Sequence, residues 1–142
     1  NSGGHGLVAA PTDQSTGIQW YNGSYLSTGA TATAVGTGAA NTAKIIKAQG
    51  TGAYAAKLTA NLALGGYSDW FLPSKDELNL MYQNIGQGAA APLTNVGGFA
   101  SYYYWSSSEL DSSLAWLQTF GDGGRPNTNK YFTLYVRAVR AF

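Results

Sequence analysis

Few residues in this chain could do covalent chemistry, and the pattern around each argues against it. His5 is the only histidine among 142 residues and lies in a glycine-rich start, Asn1-Ser-Gly-Gly-His-Gly6. A catalytic base must be held rigidly against its substrate, and such a segment does not hold one. Cysteine is absent, which removes thiol catalysis, disulfide frameworks and Cys-based zinc sites together. With one histidine and no thiol, no metal site is expected. Ser106, Ser107 and Ser108 offer three hydroxyls, but they lack a G-x-S-x-G elbow and a histidine partner. They read as the serine-rich end of a strand. Gly36-Thr-Gly38-Ala-Ala-Asn41 comes close to G-x-G-x-x-G. Its third glycine is Asn41, however, and no acid follows about twenty residues later. No dinucleotide, and no cofactor of any kind, is expected. Glu109 and Asp111 are alternate residues that could form a glycosidase pair or hold a divalent cation weakly. Two acids in a solvated turn are the plainer reading, and no enzyme is expected.

Charge offers more. The formal net charge is +1, from eight Lys and Arg against seven Asp and Glu, but a neutral chain can still carry a basic face. Lys44, Lys47 and Lys57 fall in one segment. Arg125, Lys130, Arg137 and Arg140 fall near the C-terminus, and acids such as Asp69, Asp76 and Asp122 stand elsewhere. Lys44 and Lys47 are three apart on a predicted helix and so share a side. Arg125 and Lys130 accompany a Gly-, Pro- and Asn-rich turn, and both are expected at the surface. Guanidinium and ammonium groups pair well with phosphate-like oxygens, sulfate included.

These groups need elements to position them. Hydrophobic residues are 44% of the chain and charged residues 11%, which fits one folded domain, residues 1–142, rather than a disordered chain. No apolar run reaches membrane-spanning length, and no signal peptide is recognised. The chain is expected to be a fragment of a longer protein. Its best-determined stretch is Gly65–Gly86. Trp70, Phe71 and Leu72 form an extended apolar run that Pro73 stops. Ser74 and Glu77 have the spacing of a capping box. Leu78, Met81, Tyr82 and Ile85 then recur at helical spacing, up to Gly86.

Shorter elements surround it. Gly6–Ala10 and Ile18–Tyr21 read as strands. A helix over Ala43–Gln49 is capped by Asn41 or Thr42, and a second covers Ala53–Leu64. Tyr102–Ser106 and Leu114–Phe120 have strand composition, and Gly121–Asn129 reads as a polar turn. Tyr131–Phe142 reads as one last strand, whose alternation puts Arg137 and Arg140 on opposite faces. One of the two is expected to be a partly buried structural arginine paired with Asp69 or Glu109. Trp70, Trp105 and Trp116 are read as core residues rather than sugar-stacking platforms. The sum is an α+β domain of two to three helices, with an antiparallel sheet formed mainly by the C-terminal half.

Taken together, Trp70-Phe-Leu-Pro-Ser74 with Glu77-Leu78, Tyr104-Trp-Ser-Ser-Ser-Glu109, Ala115-Trp116 with Phe120, and Val136-Arg-Ala-Val-Arg140 form a series. With the opening Gly6–Trp20, it resembles a family of bacterial extracellular domains related to C-type-lectin-like folds. Within that family it is similar to the C-terminal domain of the Legionella collagen-like protein, an adhesin. The resemblance implies a non-catalytic, surface-displayed or secreted homotrimer that binds sulfated glycosaminoglycans such as heparin or chondroitin sulfate. It implies neither nucleic-acid binding nor membrane insertion. On that reading Arg125, Lys130, Lys44, Lys47 and Lys57 are the candidate ligand-binding residues. Trp70, Pro73, Ser74, Glu77, Trp105, Trp116, Arg137 and Arg140 are structural. Calcium-dependent lectins of this kind carry Glu-Pro-Asn and Trp-Asn-Asp. The nearest matches here are Arg125-Pro126-Asn127 and Trp116-Leu117-Gln118, which implies direct pairing with an anionic sugar rather than bridging by calcium.

Overall fold

The run at Phe71 and Leu72 is pinned on both sides by long-range partners. In the computed structural model, which describes residues 5–142, Phe71 exchanges two backbone hydrogen bonds with Val139 (2.8 and 3.0 Å), and Ser107 N donates to Pro73 O at 2.8 Å. The segment therefore bridges two sheets. One is a pair, β1 (Leu7–Ala9) with β7 (Val139–Ala141). The other has five strands in the order β2-β6-β3-β4-β5: β2 Ser15–Ile18, β3 Tyr103–Glu109, β4 Leu114–Thr119, β5 Asn127–Asn129 and β6 Leu134–Val136. Neighbours are antiparallel except β3 and β6, which run parallel at Tyr104 and Tyr135. The sheet is thus mixed. Helices α1 (Gly38–Gln49), α2 (Ala55–Ala60) and α3 (Lys75–Ile85) lie between β2 and β3 in the chain. The domain is α+β, with most of its strands in the C-terminal half.

Successive residues of β3 point to opposite faces, and both faces are covered. Trp105 joins Trp20, Ile45, Tyr54, Leu72 and Val136 under α1 and α2. Tyr104 joins Phe71, Leu78, Met81, Phe99 and Phe120 under α3. Trp70 is buried with Ala10 and Ala138 in a third, smaller cluster.

The capping box of α3 is closed. Ser74 Oγ accepts from Glu77 N at 3.3 Å, and Glu77 Oε1 accepts from Ser74 N at 2.7 Å. The same carboxylate, fully buried, accepts Gly36 N at 2.9 Å. The near-match to a dinucleotide loop is thereby accounted for: Gly38 makes room for Glu77, and Gly36 turns the chain at a φ of +94°. A Cβ on Gly38 would stand 2.1 Å from Glu77 Oε1 and 2.9 Å from Leu72 O. Helix propensity alone favours Ala over Gly by about 1 kcal/mol. Overpacking against backbone costs about 1–3 kcal/mol, and here it dominates. Gly38→Ala is expected to lower the urea midpoint of unfolding; a raised midpoint would show that Glu77 yields freely.

Several boundaries move, for reasons local patterns do not carry. Helix α1 begins at Gly38, so Asn41 and Thr42 lie inside it rather than capping it. Asn41 Nδ2 reaches Ala32 O, and Thr42 Oγ1 accepts Leu72 N. Helix α2 is short because the chain leaves it after Ala60 to turn at Gly65-Gly66, with Leu64 and Tyr67 bridged. Strand β2 ends at Ile18, where a strand was expected to begin, and β5 forms inside the expected polar turn. The expected last strand is two strands. It breaks at Arg137-Ala138 and passes from the five-stranded sheet to the pair, so Val136, Arg137, Ala138 and Val139 are all buried.

Candidate functional site

The described residues bring only some of the expected basic groups to the surface. Lys44 and Lys47 are exposed on α1, and Lys44 Nζ donates to Gly29 O. Lys57 is half-buried on α2. Lys130 is a correction: it is completely buried. Its ammonium lies 2.5 Å from Glu109 Oε1, donates to Leu26 O at 3.2 Å and sits 4.5 Å from the centre of the Trp20 ring. Burial holds its pKa below the usual lysine range, against the pull of Glu109. A lysine sealed in this way presents no charge to a ligand. Glu109 is occupied as well, accepting Thr28 N (3.0 Å) and Gly29 N (3.2 Å) besides Lys130. Asp111 accepts Ser113 N and Leu114 N across its own turn. The two acids do not form a pair over a common cleft.

The C-terminal arginines are both paired. Arg137 is buried against Asp13, not Glu109, with Nε 2.8 Å from Oδ1. Arg140 is held by Asp69 at 2.7 and 3.0 Å and lies 3.6 Å from the centre of the Tyr67 ring. Ser106, Ser107 and Ser108 are buried too. Ser106 Oγ donates to Trp116 O, and Ser108 Oγ donates to Ala32 O while accepting Lys75 N.

What remains open is a seam between the start of α3 and the β4–β5 corner. Trp116 and Gln118 lie on one face of β4, two residues apart. Above them α3 presents Lys75 and Asn79, one turn apart on the same side. Lys75 Nζ stands 3.5 Å over the centre of the Trp116 ring. Trp116 is therefore half-buried, a correction to its reading as core; Trp70 and Trp105 are buried. Gln118 Nε2 donates to Asn79 Oδ1 at 3.0 Å and to Gly123 O at 3.2 Å, and its buried Oε1 has no partner among the described residues.

The corner that follows is tight. Thr119 N reaches Gly124 O and Gly123 N reaches Thr119 O. Asp122, with the Thr119 hydroxyl and Gly124 N donating to it, has its carboxyl held below the usual carboxylate range. This corner delivers Arg125, which pairs with Asp76 in the first turn of α3 and remains about one-third exposed. Its Nε is buried without a partner among the described residues. Burial, and then the Arg125 charge, push the Lys75 amine down.

The arrangement sets two cations and an aromatic ring near one carboxylate, Asp76, at the surface, suited to an anion attached to a ring. Arg125-Pro126-Asn127 and Trp116-Leu117-Gln118 are antiparallel neighbours here, with Trp116 opposite Asn127 and Leu117 N donating to Pro126 O. Lys75 was not among the residues singled out from sequence, although a signal existed. A lysine in the first turn opposes the positive end of the helix, and in Ser74-Lys-Asp-Glu77 it is the one residue that does not serve the helix start. Among the described residues no cluster of three metal-ligating side chains occurs, and no helix is long and apolar enough to cross a membrane. No curated protein matches the chain. A family model described as the Lcl C-terminal domain matches residues 9–140.

Proposed function

The chain belongs to the Lcl C-terminal domain family, and from that premise we propose that it is the glycan-binding head of a bacterial surface adhesin. Membership supports a domain of a collagen-like surface protein and does not place it in a known enzyme family. The finer reading is that it binds sulfated glycosaminoglycan directly, without calcium at the sugar site, and is displayed as a homotrimer outside the cell.

The observation that carries the glycan reading is Lys75 over the half-buried Trp116 ring, with Arg125 held beside it on the next residue, Asp76. Two cations close enough to repel one another lower that repulsion by sharing an anion. Lys44 and Lys47 are further exposed cations on α1, and Lys57 stands on the adjoining α2. Three copies on a common stalk would turn a weak site into an avid one on a polymer. A trimer would also hold three collagen-like chains in register.

The test is heparin chromatography of the parent and of Lys75→Ala with Arg125→Ala, alongside sedimentation. Two surface ion pairs at about 1 kcal/mol each amount to more than tenfold in affinity. The variant is expected to elute at clearly lower salt with its mass unchanged. Elution where the parent elutes would place the polyanion site elsewhere.

One feature favours a second reading, self-association with no sugar site. A largely apolar groove of about 680 Å³ lies between α3 and the β1–β7 pair, lined by Val35, Leu80, Met81, Ile85 and Phe142. A trimer that ignores heparin at low salt would favour that reading.

A further inference from the structure

On a different part of the surface, Tyr21 and Tyr25 pack with ring centres 4.9 Å apart, and Tyr131 and Phe132 stack at 4.3 Å. Tyr25, Tyr131 and Phe132 are each 44–48% exposed. The two pairs are joined into one platform. Tyr25 Oη donates to Asn129 Oδ1 at 2.7 Å, the same oxygen accepts Tyr131 N at 3.0 Å, and Gln19 Nε2 donates to Tyr131 O at 2.8 Å. Tyr21, beside the Tyr25 hydroxyl, has its phenol pushed above the usual range. The charge next in the chain, Lys130, turns inward and is neutralised by Glu109.

We propose that this platform is a second glycan subsite, one that takes an uncharged pyranose by stacking. A pyranose has an apolar C–H face ringed by hydroxyls. The platform answers it with aromatic faces, phenol hydroxyls and amides around their edge, and no free charge among these residues. Tyr25 is held by its hydroxyl, the Tyr131 backbone is held at both N and O, and the rings stack in pairs, so little side-chain entropy is lost on binding. Area speaks against a second copy of the chain as the occupant. Three half-exposed rings offer on the order of 300 Å², well short of the roughly 800 Å² per partner in a stable interface. Strand β5 runs from the Arg125 corner to Asn129, so one glycan chain lying along it would meet an anion site and then a neutral one.

The experiment is aromatic-ring NMR of the whole domain titrated with three neutral probes: cellohexaose, chitohexaose and mannohexaose. Saturable shifts of the Tyr25, Tyr131 and Phe132 rings are expected with at least one probe at millimolar concentration, insensitive to salt. Tyr131→Ala should weaken that binding about tenfold or more. Lys75→Ala with Arg125→Ala should leave it unchanged, which separates this site from the polyanion reading. Should Tyr131→Ala fail to fold, Phe132→Ala carries the same test. Absence of shifts with all three probes overturns the proposal. So does sedimentation showing that Tyr131→Ala breaks an oligomer the parent forms, because the platform is then an interface between copies.

Discussion

Glu109→Ala is expected to destabilise the domain by about 3–5 kcal/mol, the cost of leaving one member of a buried ion pair uncompensated. The ammonium of Lys130 has no route to solvent, since both side chains are fully buried. Its one other acceptor among the described residues is Leu26 O. Loss of the carboxylate also orphans Thr28 N and Gly29 N, so the segment around Thr28 is left tied to β3 by the backbone bond from Glu109 N to Ala30 O. The pair itself need not be a large net stabiliser, because desolvation opposes its attraction. The double change Glu109→Gln with Lys130→Met removes both charges and keeps an acceptor for the loop amides. It is therefore expected to recover at least half of the loss. Urea unfolding at unchanged m-value reads both effects. A single-variant cost below about 1 kcal/mol would mean that Lys130 escapes to water, and the buried-pair account would fail.

Arg137→Ala is expected to cost a similar 3–5 kcal/mol, by the same rule that a broken buried pair strands its partner. The guanidinium serves four acceptors at once: Asp13 Oδ1 at 2.8 Å, Ala10 O at 3.0 Å, Gly97 O at 2.8 Å and Gly98 O at 3.3 Å. It also lies 4.2 Å from the centre of the Phe99 ring. Asp13 accepts the Tyr104 hydroxyl as well, at 2.9 Å, and burial pushes that phenol well above the usual tyrosine range. Arg137 thus ties the N-terminal segment, the Gly97-Gly98 loop and the sheet junction to one group. Arg137→Lys is expected to restore less than half of the stability, because a single ammonium cannot reproduce a planar fork across four acceptors. Hydrogen exchange of the amides from Gly97 to Ala100 should speed up in both variants. Exchange unchanged in Arg137→Ala would show that the loop is held by other contacts, such as Asn95 with Phe99.

The parts legible in the sequence are those whose determinants lie within a few residues of one another. Pro73, Ser74 and Glu77 specify the start of α3 by steric exclusion and reciprocal hydrogen bonds, both local effects. The aromatic and branched residues of β3 and β4 mark strands because such side chains suit a pleated surface. An α+β order follows from where those patterns fall. The family is legible in the same short motifs.

Tertiary structure decided the rest, because burial of a side chain depends on partners far along the chain. Lys130 follows a turn-rich segment, and nothing near it in sequence says that Glu109, 21 residues away, waits to neutralise it. Arg137 and Ala138 alternate like any strand residues, yet the strand splits between two sheets and buries both faces. Trp116 has the same composition signal as Trp105. Only the placement of α3 sets Lys75 over one ring, while the packing of α1 and α2 seals the other in the core. Charged and aromatic side chains are where local pattern says least. Their energy is set by desolvation and by the position of an opposite charge or a ring, which the folded chain supplies and the sequence window does not.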